Sequence, residues 1–248
     1  MIKKIMGYNL FLAIKSRLAW IEFAIMNGIT LWTFYSMVAD IFQISSNNAS
    51  MLLQLRVLFQ TMGAVLPISI LGFFLEFLLQ EFLINEKGIG RFEFLMANGV
   101  LINDLWIGTA LSIFILNSIT LLSMYVITTI IMIIYTKAFL FNLYFLLLWF
   151  VIYPLLSLCL SFLLSALGFI IRRGKIMLSL IMAFTLLFFF VGTYFVRHII
   201  PGTIEFNENI ITPFLIWISL LIIVILIIAM LLLKRKITPE NAILSIPD

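Results

Sequence analysis

Charge is scarce in this chain: Asp, Glu, Lys and Arg make up 10% of its 248 residues, whereas an ordinary soluble domain is about a quarter charged. Beside 64% hydrophobic residues, that scarcity excludes a water-soluble fold, which could not hide so much apolar surface. The one cysteine, Cys159, lies in an apolar stretch. It therefore excludes an intrachain disulfide and a two-thiolate metal clip, and reads as packing. The one histidine, His198, follows Arg197 with no Cys, Asp or second His at ligand spacing, so it reads as a surface residue. No polar stretch is longer than about 20 residues, which leaves no room for a soluble domain.

What is present is a series of long apolar runs. A bilayer core about 30 Å thick needs roughly 20 apolar residues in a helix. Runs of that size fall at about 18–40, 58–84, 105–135, 139–171, 176–196 and 213–233. They predict an all-α integral membrane protein with six transmembrane helices forming a single membrane domain over 1–248. Stretches such as Ile218 to Leu233 are apolar on every face, which excludes the alternating pattern of barrel strands. Lys3, Lys4, Lys15 and Arg17 precede the first run, and no small-residue cleavage site follows it. A retained first span is expected, not a cleaved leader. Interleaved with Ile5, Leu10, Phe11, Leu12 and Ile14, these cations predict an N-terminal helix lying along the inner surface.

The net charge of +4 is distributed in a way that orients the chain. With the N-terminus inside, Lys3, Lys4, Lys15, Arg17, Lys87, Arg91, Arg172, Arg173, Lys175, Lys234, Arg235 and Lys236 all fall in the cytoplasm. Only Arg56, Lys137 and Arg197 remain outside. This sorting predicts two cytoplasmic termini and an even number of spans. The cations then serve orientation at a lipid bilayer, and no nucleic-acid partner is expected. Pro67 and Pro154 fall inside spans two and four, where a missing amide donor predicts bends.

Groups able to do chemistry at depth are few. Glu76 and Glu81 in span two are five residues apart, which turns them about 140° from one another and prevents a paired acid and base. Glu22 stands near the start of span one. Interfacial anchoring is expected of all three, with Glu76 the one candidate intramembrane polar site. The segment Gly168 to Ile176, GFIIRRGKI, is not a phosphate-binding loop. Five residues separate its glycines where four are needed, Ile176 stands where a hydroxyl should bind Mg²⁺, and no strand precedes it. Asn48-Ala49-Ser50 matches a glycosylation acceptor and is read as coincidence.

The informative segment is the loop 85–104, which opens NEKGIGRFEFLMANGV. Gly90 to Gly99 predicts a two-turn helix parallel to the membrane that offers Phe94, Leu95 and Met96 to a cytoplasmic groove, with Glu93 fixing its orientation. Three such side chains exposed together are unfavourable unless a partner or the headgroup layer covers them. Glu86, Lys87, Gly90, Glu93, Leu95, Ala97, Val100, Leu105 and Gly108 together resemble the coupling loop of permease subunits of the type-2 ATP-binding-cassette exporters. The chain departs from that pattern at Arg91, Gly99 and Thr109, where the family has Thr, Pro and Lys.

The resemblance implies an ATPase-coupling set of Glu86, Gly90, Arg91, Glu93, Phe94, Leu95 and Met96. It implies a cytoplasmic cassette ATPase as partner and a second permease copy or related subunit. It places no catalytic residue, metal or cofactor on this chain, leaving ATP and Mg to the ATPase. It further implies an outer segment, 197–212, dipping back between spans five and six. The expected substrate is amphiphilic, an antimicrobial or toxic peptide first, and the expected location is a bacterial cell membrane. Two other classes stay open: a non-transporting adaptor or immunity protein using the same loop, and an intramembrane enzyme built on Glu76 or Glu81.

Overall fold

The computed structural model describes residues 1–44, 77–137, 141–171 and 208–240, with isolated positions at 55, 59, 63, 67, 75, 179, 182 and 183. Glu76, Asn48 to Ser50, Arg172 to Ile176, His198 and the segment 197–207 lie outside them. Among the described residues the chain is helical throughout, with no strand. The helices are α1 (Ile2–Lys15), α2 (Arg17–Ile44), α3 (Asn85–Gly88), α4 (Arg91–Ala97), α5 (Ile102–Thr136), α6 (Leu143–Leu147), α7 (Tyr153–Ile170) and α8 (Glu208–Lys234).

Three described helices are long and apolar enough to cross a membrane: Ile102–Thr136, Leu143–Ile170 and Leu215–Lys234. The first has 35 residues, about 52 Å at 1.5 Å per residue, so it projects beyond a hydrocarbon core of about 30 Å. α5 starts at Ile102, ahead of the apolar run, because Leu101 is extended and Asp104 stands in the first turn, where the helix dipole favours a carboxylate. Bulky apolar side chains on α2 and α8, among them Trp32, Trp217 and Leu221, are exposed, as a lipid-facing surface requires.

Local sequence explains the joints. Ser16 is extended, its amide closes the last turn of α1 on Leu12, and its hydroxyl accepts from the Ala19 amide 3.3 Å away. One serine thus ends α1 and caps α2. Pro154 has no amide donor and its ring crowds the carbonyl one turn back. A wide π turn over Leu148–Ile152 takes up that irregularity, so the helix passes through unbroken. A second π turn, Gln80–Ile84, leads directly into α3, which carries the helix to Gly88. The expected loop 85–104 is therefore largely helical.

α5 packs against α1, α2 and α7. Helices α5 and α7 both bury residues with little bulk: Thr109 and Ser112 on α5, and Ser157, Ser161 and Ser165 on α7. Small side chains let helix backbones approach closely where lipid offers no hydrophobic driving force. α1 approaches α5 at Gly108, where an added Cβ would stand 2.8 Å from Ile5 Cγ2.

Candidate functional site

One end of the molecule gathers six parts of the chain into a single buried cluster. Ile5 of α1, Leu83, Phe92 of α4, Leu105 and Trp106 of α5, Ala166 and Phe169 of α7, and Ile237 just beyond α8 share it. Lys3, Lys4, Lys87, Arg91, Lys234, Arg235 and Lys236 all lie on the elements that meet here. Among the described basic residues, Lys137 stands at the opposite end of α5.

Two left-handed glycines frame α4. Gly90, at φ 71°, ends α3 and begins α4, and Gly99, at φ 81°, ends α4. After Asn98 the Gly99 amide donates to the Met96 carbonyl at 3.0 Å and the Val100 amide to the Leu95 carbonyl at 3.1 Å. That is a Schellman closure, and it carries its usual apolar contact, since Val100 and Leu95 belong to the same cluster. A residue with a Cβ would be strained at either glycine.

Beneath α4 the side chains are tied to three other helices. Lys87 is only 7% exposed, and its Nζ donates to the carbonyls of Gly168 at 2.8 Å, Phe169 at 3.3 Å and Ile171 at 3.5 Å. These are carbonyls that the end of α7 leaves without helical partners, and α7 has no basic residue in its own last turn. A lysine 81 residues away supplies the cap. Burial lowers the Lys87 amine to about 8, from 10.5. It therefore remains mostly protonated at neutral pH, where its charge also complements the negative end of the helix dipole.

Glu86, equally buried, pairs with Arg91. The Arg91 guanidinium lies over the ring of Tyr8, 3.4 Å from its centroid, which joins the segment to α1. Phe92 packs on Phe169 with ring centroids 5.2 Å apart. Trp106 donates Nε1 to the Phe162 carbonyl at 3.1 Å and meets the Phe162 ring edge-on.

The three expected apolar anchors separate. Phe94 is 69% exposed, whereas Leu95 and Met96 are half-buried against the chain's own cluster. Ile89 (74%) and Leu101 are exposed near Phe94 in sequence. Glu93 is exposed on the same short helix. Glu81 accepts from the Asn85 side chain at 3.1 Å, and Glu22 is half-buried in α2. Among the described residues no group of His, Cys, Asp and Glu is placed to hold a metal ion.

Sequence reasoning did not assign Tyr8, Trp106 or Phe169 to this region, placed Phe92 on the short helix without a role, and gave Lys87 an orienting charge and a place in the loop pattern but no part as a helix cap. The usable signal was Gly88-Ile89-Gly90, which ends a helix directly after Glu86 and Lys87. No family model, no curated protein and no solved structure matches this chain.

Proposed function

We propose that this chain is the permease subunit of an ATP-driven exporter, crossing a bacterial cell membrane six times with both termini in the cytoplasm. It works as a pair with itself or a related subunit, and a separate cassette ATPase holds the ATP and Mg. The observation that carries this reading is the braced exposed helix. Phe94 and Ile89 face outward from an element bonded through Lys87 to α7, through Arg91 to α1 and through Phe92 to Phe169. A load applied to Phe94 would reach the membrane helices instead of being absorbed by a slack loop.

The topology is supported by the basic end of the molecule, where α1 meets the finishing ends of α7 and α8. Two helices finishing at one end fit a six-span arrangement that has one further span between them, the run at 176–196. The substrate we propose is an amphiphilic molecule, an antimicrobial or toxic peptide first, because the spans are rich in Phe and apolar residues.

The test is co-expression with candidate cassette ATPases from the same cell, followed by co-purification and substrate-stimulated hydrolysis. Phe94→Asp and Ile89→Asp are the informative variants. Losing a buried Phe contact costs about 1.5–3 kcal/mol. An unpaired desolvated charge adds about 2–5 kcal/mol. Association should weaken well beyond tenfold while membrane levels hold. Full association and coupled hydrolysis in both variants would refute the proposal.

A further inference from the structure

α1 contains no acidic residue, and its outward face mixes cations with bulky apolar groups. Lys3, Lys4 and Lys15 are exposed there beside Tyr8, Phe11 and Ile14, while Ile5 and Ala13 are buried on the inward side against α5. Lys15 lies over the Phe11 ring at 4.5 Å. Exposed Arg17 follows directly, and Lys234 and Arg235 end α8 beside Ile237, which shares the buried cluster of Ile5. Among the described residues, Lys3, Lys4, Arg17, Lys234 and Arg235 have no carboxylate within ion-pair distance.

A second observation sets the level of this face relative to a bilayer. Trp20, in the first turns of α2, is 57% exposed, and its indole Nε1 donates to the Ile14 carbonyl at 2.9 Å. An outward Trp with its polar atom satisfied is the residue type that settles between headgroups and acyl chains. It stands within one turn of Arg17 and Lys15. Cations and apolar groups on one helix face, next to an interfacial Trp, match a surface of lipid phosphates above acyl chains. An acidic protein surface would pair the cations and leave Phe11, Ile14 and Trp20 without apolar cover.

We infer that the outward face of α1, extended by the basic end of α8, is a binding site for anionic phospholipid headgroups of the inner leaflet. The phosphates meet Lys3, Lys4, Lys15 and Arg235, and the upper acyl chains meet Phe11 and Ile14. The site does not depend on the exporter reading, since it requires only that this end of the molecule face the anionic leaflet.

The test uses the full chain in neutral detergent, where insertion orientation plays no part. Retention of dioleoylphosphatidylglycerol, dioleoylphosphatidylcholine and soluble glycerol phosphate is measured by native mass spectrometry. The anionic lipid should bind at least tenfold tighter than the zwitterionic one. A Lys3→Gln, Lys4→Gln, Lys15→Gln variant should lose about 100-fold, since each cation near an anionic surface contributes about a factor of five. The matching Lys→Arg variant should retain binding, and so should Lys137→Gln at the other end of α5. Equal retention of the two lipids, or unchanged binding in the Gln variant, would overturn the inference. Glycerol phosphate competing as well as the lipid would make this a soluble-anion site and also overturn it. So would a Gln variant that keeps its lipid but loses a co-purifying acidic protein.

Discussion

Replacing Lys87 by Met keeps most of the side chain's volume and removes its donors from the end of α7. In the structure Nζ is 2.8 Å from the Gly168 carbonyl, with longer bonds to Phe169 and Ile171. A hydrogen bond from a charged donor contributes about 1.5–3 kcal/mol, so the three together, two of them long, contribute about 5 kcal/mol. Removing the ammonium also relieves its burial, which is the cause of its lowered pKa; a shift from 10.5 to about 8 corresponds to about 3 kcal/mol, which offsets part of the loss. A net destabilisation of about 2 kcal/mol is expected, concentrated locally because α7 continues above the site as one apolar helix. Two kcal/mol is roughly a 30-fold change in an opening equilibrium. Hydrogen exchange of the amides at 168–171, followed by mass spectrometry on the detergent-purified protein, should therefore accelerate about 30-fold in Lys87→Met. Amides near 155–160 should be little changed. Lys87→Gln, which keeps a neutral donor on a shorter arm, should fall between Met and the parent. If Lys87→Met left exchange at 168–171 unchanged, the lysine would not be holding the end of α7, and α4 would not be braced on α7 through it.

Gly108→Val should destabilise the docking of α1 on α5 by about 1–3 kcal/mol, because its Cβ would meet Ile5 Cγ2 at 2.8 Å; increased proteolysis of the N-terminal helix reads this. Gly90→Ala should cost about 1–2 kcal/mol of thermal stability, since the residue sits at φ 71°. Arg91→Met should cost about 3 kcal/mol or more in the same assay, about 1 kcal/mol from the lost stack on Tyr8 and the larger part from leaving the buried Glu86 carboxylate without its partner. For pH, the folded Lys87 amine titrates near 8 and the unfolded one near 10.5. The unfolded chain holds more protons between those values, so this group's contribution to stability rises with pH across that window. The parent minus Lys87→Met stability difference, measured from pH 7 to 10.5, should shift in the parent's favour as pH rises.

Some of this architecture could be read directly from residue order. Apolar runs of bilayer length dictate membrane-compatible helices because no other local structure satisfies its own backbone in lipid, and three of the runs appear as such helices. Gly90 and Gly99 bracket a sequence with helical preference, and α4 lies between them because each adopts the left-handed conformation that ends or begins a helix. Both are local properties, set by groups within one or two turns.

The tertiary structure decided which way the side chains between those glycines point. Phe94, Leu95 and Met96 are consecutive and similarly apolar, so composition could not separate them. They diverge because successive helical residues are about 100° apart and the underside of α4 rests on Phe169, Leu105 and Val100. In the same way Lys87 resembles any orienting cation until the end of α7, 81 residues further on, is brought to it with unpartnered carbonyls. A lysine is buried where distant acceptors exist to meet its hydrogens, and those acceptors are positioned by helix packing, which no local pattern around residue 87 records.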